Sequence, residues 1–279
     1  MTASRPAPAR QPATEGRIGI IDIGSNSIRL VVYEQARRAP VPVFNEKVLC
    51  GLGRDIERTG SLPAEAVGRA LDNLQRSVTL ARNMKVARLD LLATAAVRDA
   101  SDGEAFVAEV ERRTGEPVGI VGGNEEARLS GLGVICGMPD ADGVMGDLGG
   151  GSLELMALEK GSLGPSTTLP LGPLRLQAVN GKRTAREVIE TTLAGVKWLQ
   201  DYRGRTFFPV GGAWRAFARL HMEQVGYPLH MIHEYRVSGR EAREMAAMLA
   251  QQSARSLEKI EGVSKRRLET LPVSLQVLE

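Results

Sequence analysis

The sequence predicts an α/β protein made of two related domains with a cleft between them. Three observations carry this. Short apolar strands alternate with amphipathic helices along the whole chain, the pattern of layered α/β folds. The 279 residues suffice for two domains, each with its own core. One chemical device also occurs twice, in Ile21-Asp22-Ile23-Gly24-Ser25-Asn26-Ser27-Ile28-Arg29 and in Gly146-Asp147-Leu148-Gly149-Gly150-Gly151-Ser152-Leu153-Glu154. Aligned on the Asp, each copy has Gly at +2, Ser at +5 and a charged residue at +7, and apolar strands flank the turn. Domain boundaries follow: a disordered tail over 1–15, a first domain over 16–140 and a second over 141–279.

The elements follow in order. After the first hairpin, Val67, Leu71, Leu74, Val78 and Ala81 fall on one face, so 62–84 reads as a helix opened by Pro63. Residues 89–93 form a strand that runs into Thr94-Ala95-Ala96-Val97-Arg98. A helix over 104–114 stops at Gly115, 117–121 is a strand, and Asn124 caps a helix that begins Glu125-Glu126-Ala127-Arg128. After the second hairpin come a strand near 166–170, one long helix over 184–202, a strand over 207–210 and a helix over 214–223. Ser238 and Glu241 form a capping box for a helix reaching Gln252.

Composition narrows the function classes. Apolar content of 43% and charged content of 25% describe a soluble globular chain, and no apolar run is long enough to cross a bilayer. Cys50 and Cys136 lack CxxC spacing and read as reduced thiols in the cytoplasm. A net charge of +3 permits a polyanionic ligand without demanding one.

The hairpins are the strongest chemical signal. Gly and Ser at a tight turn let backbone N–H groups approach an anion, and the Asp at the strand end can hold a metal ion beside it. Plain β-turns would use the same residues, but two copies with matched offsets argue for function. No Gly-Lys-Ser/Thr follows, so neither is a Walker loop, and a strand follows each turn, so neither is a dinucleotide fingerprint. Asp22 and Asp147 are expected on opposite walls of the cleft. The Glu125-Glu126 pair reads first as helix N-terminal electrostatics and second as a source of a general base. Gly211-Gly212 either eases a strand-to-helix turn or receives a phosphate at the helix start. Arg98 reads as a surface arginine or a phosphate clamp. His230 and His233 have helical metal-ligand spacing but no acidic or Cys partner nearby. The basic runs Arg112-Arg113, Lys182-Arg183 and Lys265-Arg266-Arg267 read as solvated faces, and Trp198 and Trp214 as packing anchors.

The motif order resembles the exopolyphosphatase and guanosine pentaphosphate phosphatase family of the actin, Hsp70 and sugar-kinase superfamily. The resemblance rests on Asp22 to Ser27, on Thr94-Ala95-Ala96-Val97-Arg98 and on Gly123-Asn124-Glu125-Glu126-Ala127-Arg128-Leu129. It continues through Asp147 to Glu154, Leu169-Pro170-Leu171-Gly172 and Val210-Gly211-Gly212. It implies two ribonuclease-H-like (actin-like ATPase) domains; the chain stops at Glu279, so the second is expected to be incompletely closed and the C-terminal helical domain often found in the family is expected to be absent. It implies hydrolysis of the terminal phosphate of inorganic polyphosphate, or of the 5′ phosphate of guanosine pentaphosphate, with Mg²⁺ or Mn²⁺. Glu126 would be the base. Asp147, Glu154 and Asp22 would face the metal. Gly24, Ser25, Asn26, Ser27, Gly149, Gly150, Gly151, Ser152, Gly211 and Gly212 would hold phosphates, with Arg98 assisting. Two positions depart from the family pattern: Ala95, usually polar, and Leu153, usually Thr. A sugar-kinase-type phosphotransferase and a non-catalytic alarmone-binding protein are the competing readings. No membrane or nucleic-acid partner is expected, and a homodimer is left open.

Overall fold

The structure, a computed structural model, describes residues 15–179, 183–252 and 269–279. Nearly all of the expected tail, Lys182 and the Lys265-Arg266-Arg267 run lie outside the described residues. The chain divides into two compact units, Met1–Pro139 and Asp140–Glu279. No described helix is long and apolar enough to cross a membrane.

Unit 1 opens with a three-strand meander, β1 (Arg17–Ile23), β2 (Ser27–Tyr33) and β3 (Pro42–Leu49). The short α1 (Ile56–Thr59) and the long α2 (Ala64–Asn83) lead to β4 (Val86–Ala93). Then come α3 (Ala95–Asp99), α4 (Gly103–Thr114), β5 (Val118–Ile120) and α5 (Gly123–Gly137). The sheet order is β3-β2-β1-β4-β5. β2 runs antiparallel to both neighbours, and β4 and β5 run parallel to β1. Period-two burial in the hairpin brings Ile21, Ile23, Ile28 and Leu30 into one core with Leu71, Leu74 and Val78 of α2 and Phe106 and Val110 of α4. Each such fully buried side chain contributes about 1.5–3 kcal/mol. Gly115 ends α4 with a φ of 71°, the left-handed stop that the sequence implied.

Unit 2 repeats the start of this plan. β6 (Gly143–Leu148), β7 (Leu153–Glu159) and β8 (Ser162–Leu169) form the meander. α6 (Pro173–Gln177), α7 (Ala185–Ala194) and a 3-10 segment, Lys197–Tyr202, connect to β9 (Thr206–Gly211). α8 (Gly212–Val225), α9 (Gly239–Ala250) and α10 (Leu271–Gln276) follow. The sheet order β8-β7-β6-β9, with β9 parallel to β6, matches β3-β2-β1-β4 strand for strand. Leu153, Leu155, Leu169, Leu171 and Trp214 lie in one buried cluster of this unit, and Phe217, Leu220, Met245, Leu271 and Leu275 in another.

Three local expectations are corrected. The single helix expected over 184–202 is two pieces, because Val196 leaves helical geometry at φ −90°, ψ 85° just after Gly195. The break turns Trp198 so that its indole N–H donates to Thr167 Oγ1 at 3.0 Å. Asn124 is not a cap: α5 starts at Gly123, Gly122 is the capping position, and Glu126 N–H closes the first turn on Gly122 O at 2.9 Å. His230 and His233 lie outside any described helix. His230 is exposed at φ 47° and pairs with Glu223 at 3.3 Å, which removes the helical spacing that suggested metal ligation.

Candidate active site

The two hairpins agree down to the hydrogen bond that closes the turn. Gly24 N–H donates to Ser27 O at 3.0 Å, and Gly149 N–H donates to Ser152 O at 3.0 Å. In both, the residue at +7 stands directly across the ladder from the Asp: Asp22 faces Arg29, and Asp147 faces Glu154. Each turn is also braced from the segment after the third strand of its meander. Gly53 N–H donates to Ser25 O at 2.6 Å, and Leu174 N–H donates to Gly150 O at 3.0 Å. Ser25 and Gly150 occupy the same +3 position, so the bracing is part of the duplicated plan. Cys50 and Gly51 N–H add two bonds to Asn26 O, each 3.1 Å. Ser25 and Ser152 are buried.

Charge separates the two hairpins. Directly opposed residues of an antiparallel pair share a face with Cβ atoms about 5 Å apart. In the first, a carboxylate on an exposed strand end faces a guanidinium, and Arg29 Nε donates to Asn45 Oδ1 at 2.9 Å. In the second, two carboxylates face each other, Asp147 half-buried and Glu154 only 1% exposed. Two opposed oxygen donors suit a hard divalent cation, and Mg²⁺ is commonly held by one or two carboxylates plus substrate phosphates. No group of three or more His, Cys, Asp or Glu gathers as a metal cage among the described residues. The donor set therefore fits an ion completed by water and phosphate. Leu153 pairs with Leu148 at the first rung and is buried in the core, so this departure serves packing. Ala95 is likewise buried at the start of α3.

The glutamate pair in α5 is divided between two arginines. Glu125 is exposed and bound by Arg128, with Nε and Nη2 donating at 2.7 and 2.8 Å. That guanidinium holds the Glu125 carboxyl below the usual carboxylate range. Glu126 instead accepts from Arg98 Nη1 at 3.2 Å. The Arg98 side chain is 8% exposed, and its guanidinium also donates to Val121 O at 2.9 Å and Asp99 Oδ1 at 3.3 Å. Backbone bonds bring the pair together: Val121 N–H donates to Ala93 O at 2.8 Å, and Arg98 N–H to Thr94 O at 3.0 Å. The end of β4, the start of α3 and the exit of β5 thereby place a guanidinium beside a carboxylate 28 residues away.

Gly211 has a structural reason of its own. Its φ is 116°, and a Cβ there would stand 2.6 Å from Leu148 O across the β6–β9 ladder. Gly212 opens α8, and Arg215 Nε donates back to Gly211 O at 3.1 Å. Sequence reasoning assigned no role to Gly172, which packs against the second hairpin turn. The signal was there, since Leu169-Pro170-Leu171-Gly172 stands out as a motif. Its target, a turn some twenty residues earlier, was not readable from spacing.

Comparisons with known proteins bear on the family and the fold. The family model described as the Ppx/GppA phosphatase family matches residues 31–279. Exopolyphosphatase 1 of Mycobacterium tuberculosis is 29% identical over 163 residues, covering 57% of this chain and 47% of that relative. Exopolyphosphatase 2 of the same organism is 28% identical over 257 residues, covering 84% and 79%. The chain thus spans about half the length of the first relative and most of the second. Among solved structures, an exopolyphosphatase from Cytophaga hutchinsonii superposes with a TM-score of 0.82 at 22% identity, covering 94% of this chain and 88% of that one. The Aquifex aeolicus family member does so with a TM-score of 0.76 at 23% identity over the same shares. These two show the shared fold. The family model covers most of the chain, from the second strand of the first hairpin to the last residue, and the chain belongs to the Ppx/GppA phosphatase family.

Proposed function

We propose that this protein is a phosphoanhydride hydrolase that releases orthophosphate from the end of inorganic polyphosphate and needs Mg²⁺ or Mn²⁺. The observation that carries the reading is the Arg98–Glu126 pair at 3.2 Å. It fixes one carboxylate of a family motif, while its neighbour Glu125 is bound to Arg128. The relatives named exopolyphosphatase favour polyphosphate as the substrate.

The chain's own residues then take the following parts. Backbone N–H groups of residues 25–27 and 150–152, beyond the two that close the turns, bind the oxygens of phosphates that do not react. Glu126 accepts the proton of a water molecule at a carboxylate oxygen as the water oxygen bonds to the terminal phosphorus. The P–O bond to the next phosphate breaks, and its electron pair leaves on the shortened chain. Arg98 keeps the Glu126 carboxylate from swinging away from that water. Asp147 and Glu154 would hold the divalent cation, which when bound supplies neutralising charge to the phosphate oxygens.

The test measures orthophosphate release from long-chain polyphosphate and from guanosine pentaphosphate, each with and without Mg²⁺. Release from polyphosphate that stops in excess chelator is expected. Release from guanosine pentaphosphate alone would assign a 5′-phosphatase instead. Release from neither substrate would overturn the hydrolase reading and favour a protein that only binds alarmones.

A further inference from the structure

We infer that Gly172 is a positioning residue for the 149–152 turn, holding its backbone in the shape that binds phosphate. This rests on the phosphate-binding reading of the hairpins given above. Gly172 sits between β8 and α6 and is buried. Its backbone has φ −65° and ψ 142°, a conformation open to any residue, so conformational freedom is not why glycine stands here. Space is the reason. A Cβ at this position would lie 2.5 Å from Gly150 O, and closer still to Gly151 C and Ser152 N. All three atoms are backbone, so no side-chain rotation relieves the collision.

The surrounding bonds convert that close approach into a clamp. Leu174 N–H donates to Gly150 O at 3.0 Å, and Arg175 and Leu176 N–H both donate to Gly172 O at 3.0 Å. The turn of α6 is therefore closed on Gly172, while its second residue grips the hairpin. Unit 1 braces its turn from the same place in the meander, through Gly53 N–H to Ser25 O. There, however, the glycine two residues before the bracing N–H does not press on the turn: the atoms nearest to a Cβ at Gly51 belong to the Arg54 side chain. The wedge is a property of the second hairpin, the one with the Asp147–Glu154 pair. A methyl group at 172 has to move the turn or α6 by roughly half an ångström or more, and misplacement on the order of 1 Å can cost about a hundredfold in rate.

The experiment compares full-length wild type, Gly172→Ala, Leu174→Pro and Gly143→Ala. Leu174→Pro removes the N–H that grips Gly150 O, a donor at the second position of α6 whose bond lies outside the helix. Gly143→Ala strains the opposite end of β6, where φ is 146° and a Cβ would collide with Thr206 O, and it leaves the turn untouched. Two readouts are taken on folded protein: amide NMR shifts of residues 149–152, and the affinity for inorganic tripolyphosphate with Mg²⁺. Gly172→Ala and Leu174→Pro should both move the turn amides and weaken tripolyphosphate binding about tenfold or more. Gly143→Ala should lower thermal stability with affinity unchanged. If Gly172→Ala fails to fold, Leu174→Pro decides alone. Unmoved turn amides, or moved amides with wild-type affinity, would overturn the inference. Wild type that neither binds tripolyphosphate nor hydrolyses polyphosphate would instead overturn the functional reading, and the amide shifts would still report whether Gly172 shapes the turn.

Discussion

Two adjacent glutamates in the first turn of α5 have the same local chemistry, and two arginines give them different surroundings. Glu125 and Arg128 are three apart on one helix, so their pairing is readable from helical spacing. Glu126 meets Arg98 only because two strand exits are hydrogen-bonded together, and no local pattern announces that contact. Glu126 was therefore singled out as the candidate base through family resemblance, and its contact with Arg98 was not legible. Glu126→Gln is expected to lower kcat by about 10²–10⁴, the range of general-base contributions, with substrate affinity retained. Glu125→Gln, which removes half of an exposed pair worth about 1 kcal/mol or less, should change kcat by less than about fivefold. Steady-state kinetics on both variants checks the assignment, and the opposite ranking would make Glu125 the base. Another carboxylate gives a pH prediction. Glu109 accepts from Arg112 and Arg113, each bond 2.7 Å, and they hold its carboxyl down to about 2. Its folded value lies below its ordinary one, so the stabilisation is present above about pH 4.5 and is lost as pH falls towards 2. Carbon-13 titration of the Glu109 carboxyl should find that low midpoint, and it should rise with salt.

Among elements, those with a long period or a cap were readable. The α2 stripe needs twenty residues of pattern and has them. Ser238 and Glu241 form the capping box read from sequence, with Ser238 Oγ accepting from Glu241 N–H at 3.2 Å and Glu241 Oε2 accepting from Ser238 N–H at 3.2 Å. Thr184 and Glu187 make a second box, with Thr184 Oγ1 accepting from Glu187 N–H at 3.2 Å. Ser238→Ala or Thr184→Ala should each cost about 1 kcal/mol, read as a lower denaturant midpoint with unchanged slope. α6 escaped notice because five residues opened by proline carry no helical period. The break at Gly195 was missed because the amphipathic pattern continues through it, and only the backbone reversal at Val196 shows it. The hairpins were legible as strand-turn-strand units, since the offsets of two and five residues mark the turn. Their cation chemistry can be tested directly. Asp147→Asn is expected to raise the Mg²⁺ concentration for half-maximal phosphate release at least about tenfold, because it removes one of two opposed carboxylates. Asp22→Asn should raise it less, since Asp22 faces Arg29.

At the scale of the whole chain, repetition is the main fact. Each unit has its own buried clusters, with the described core of unit 1 drawn from residues 21–120 and those of unit 2 from residues 144 onward. Residues 15–139 expressed alone should therefore fold, giving a dispersed amide spectrum and a cooperative melt. A molten spectrum would show that unit 1 lacks a self-sufficient core. The repeat was visible in the sequence because the turn chemistry of the two copies is shared. The strand order, the closing bond and the bracing bond were not visible, because they are backbone properties that unrelated apolar residues can satisfy. The duplication is broken most sharply at a single position, where Arg29 in one copy corresponds to Glu154 in the other. The first hairpin carries a counter-charge for its Asp in the covalent chain, as Arg29. The second places two carboxylates across one rung, the rung to which the proposed function assigns the cation. Under the proposed function, a change of dissolved cation should therefore act on the second copy of the turn more than on the first.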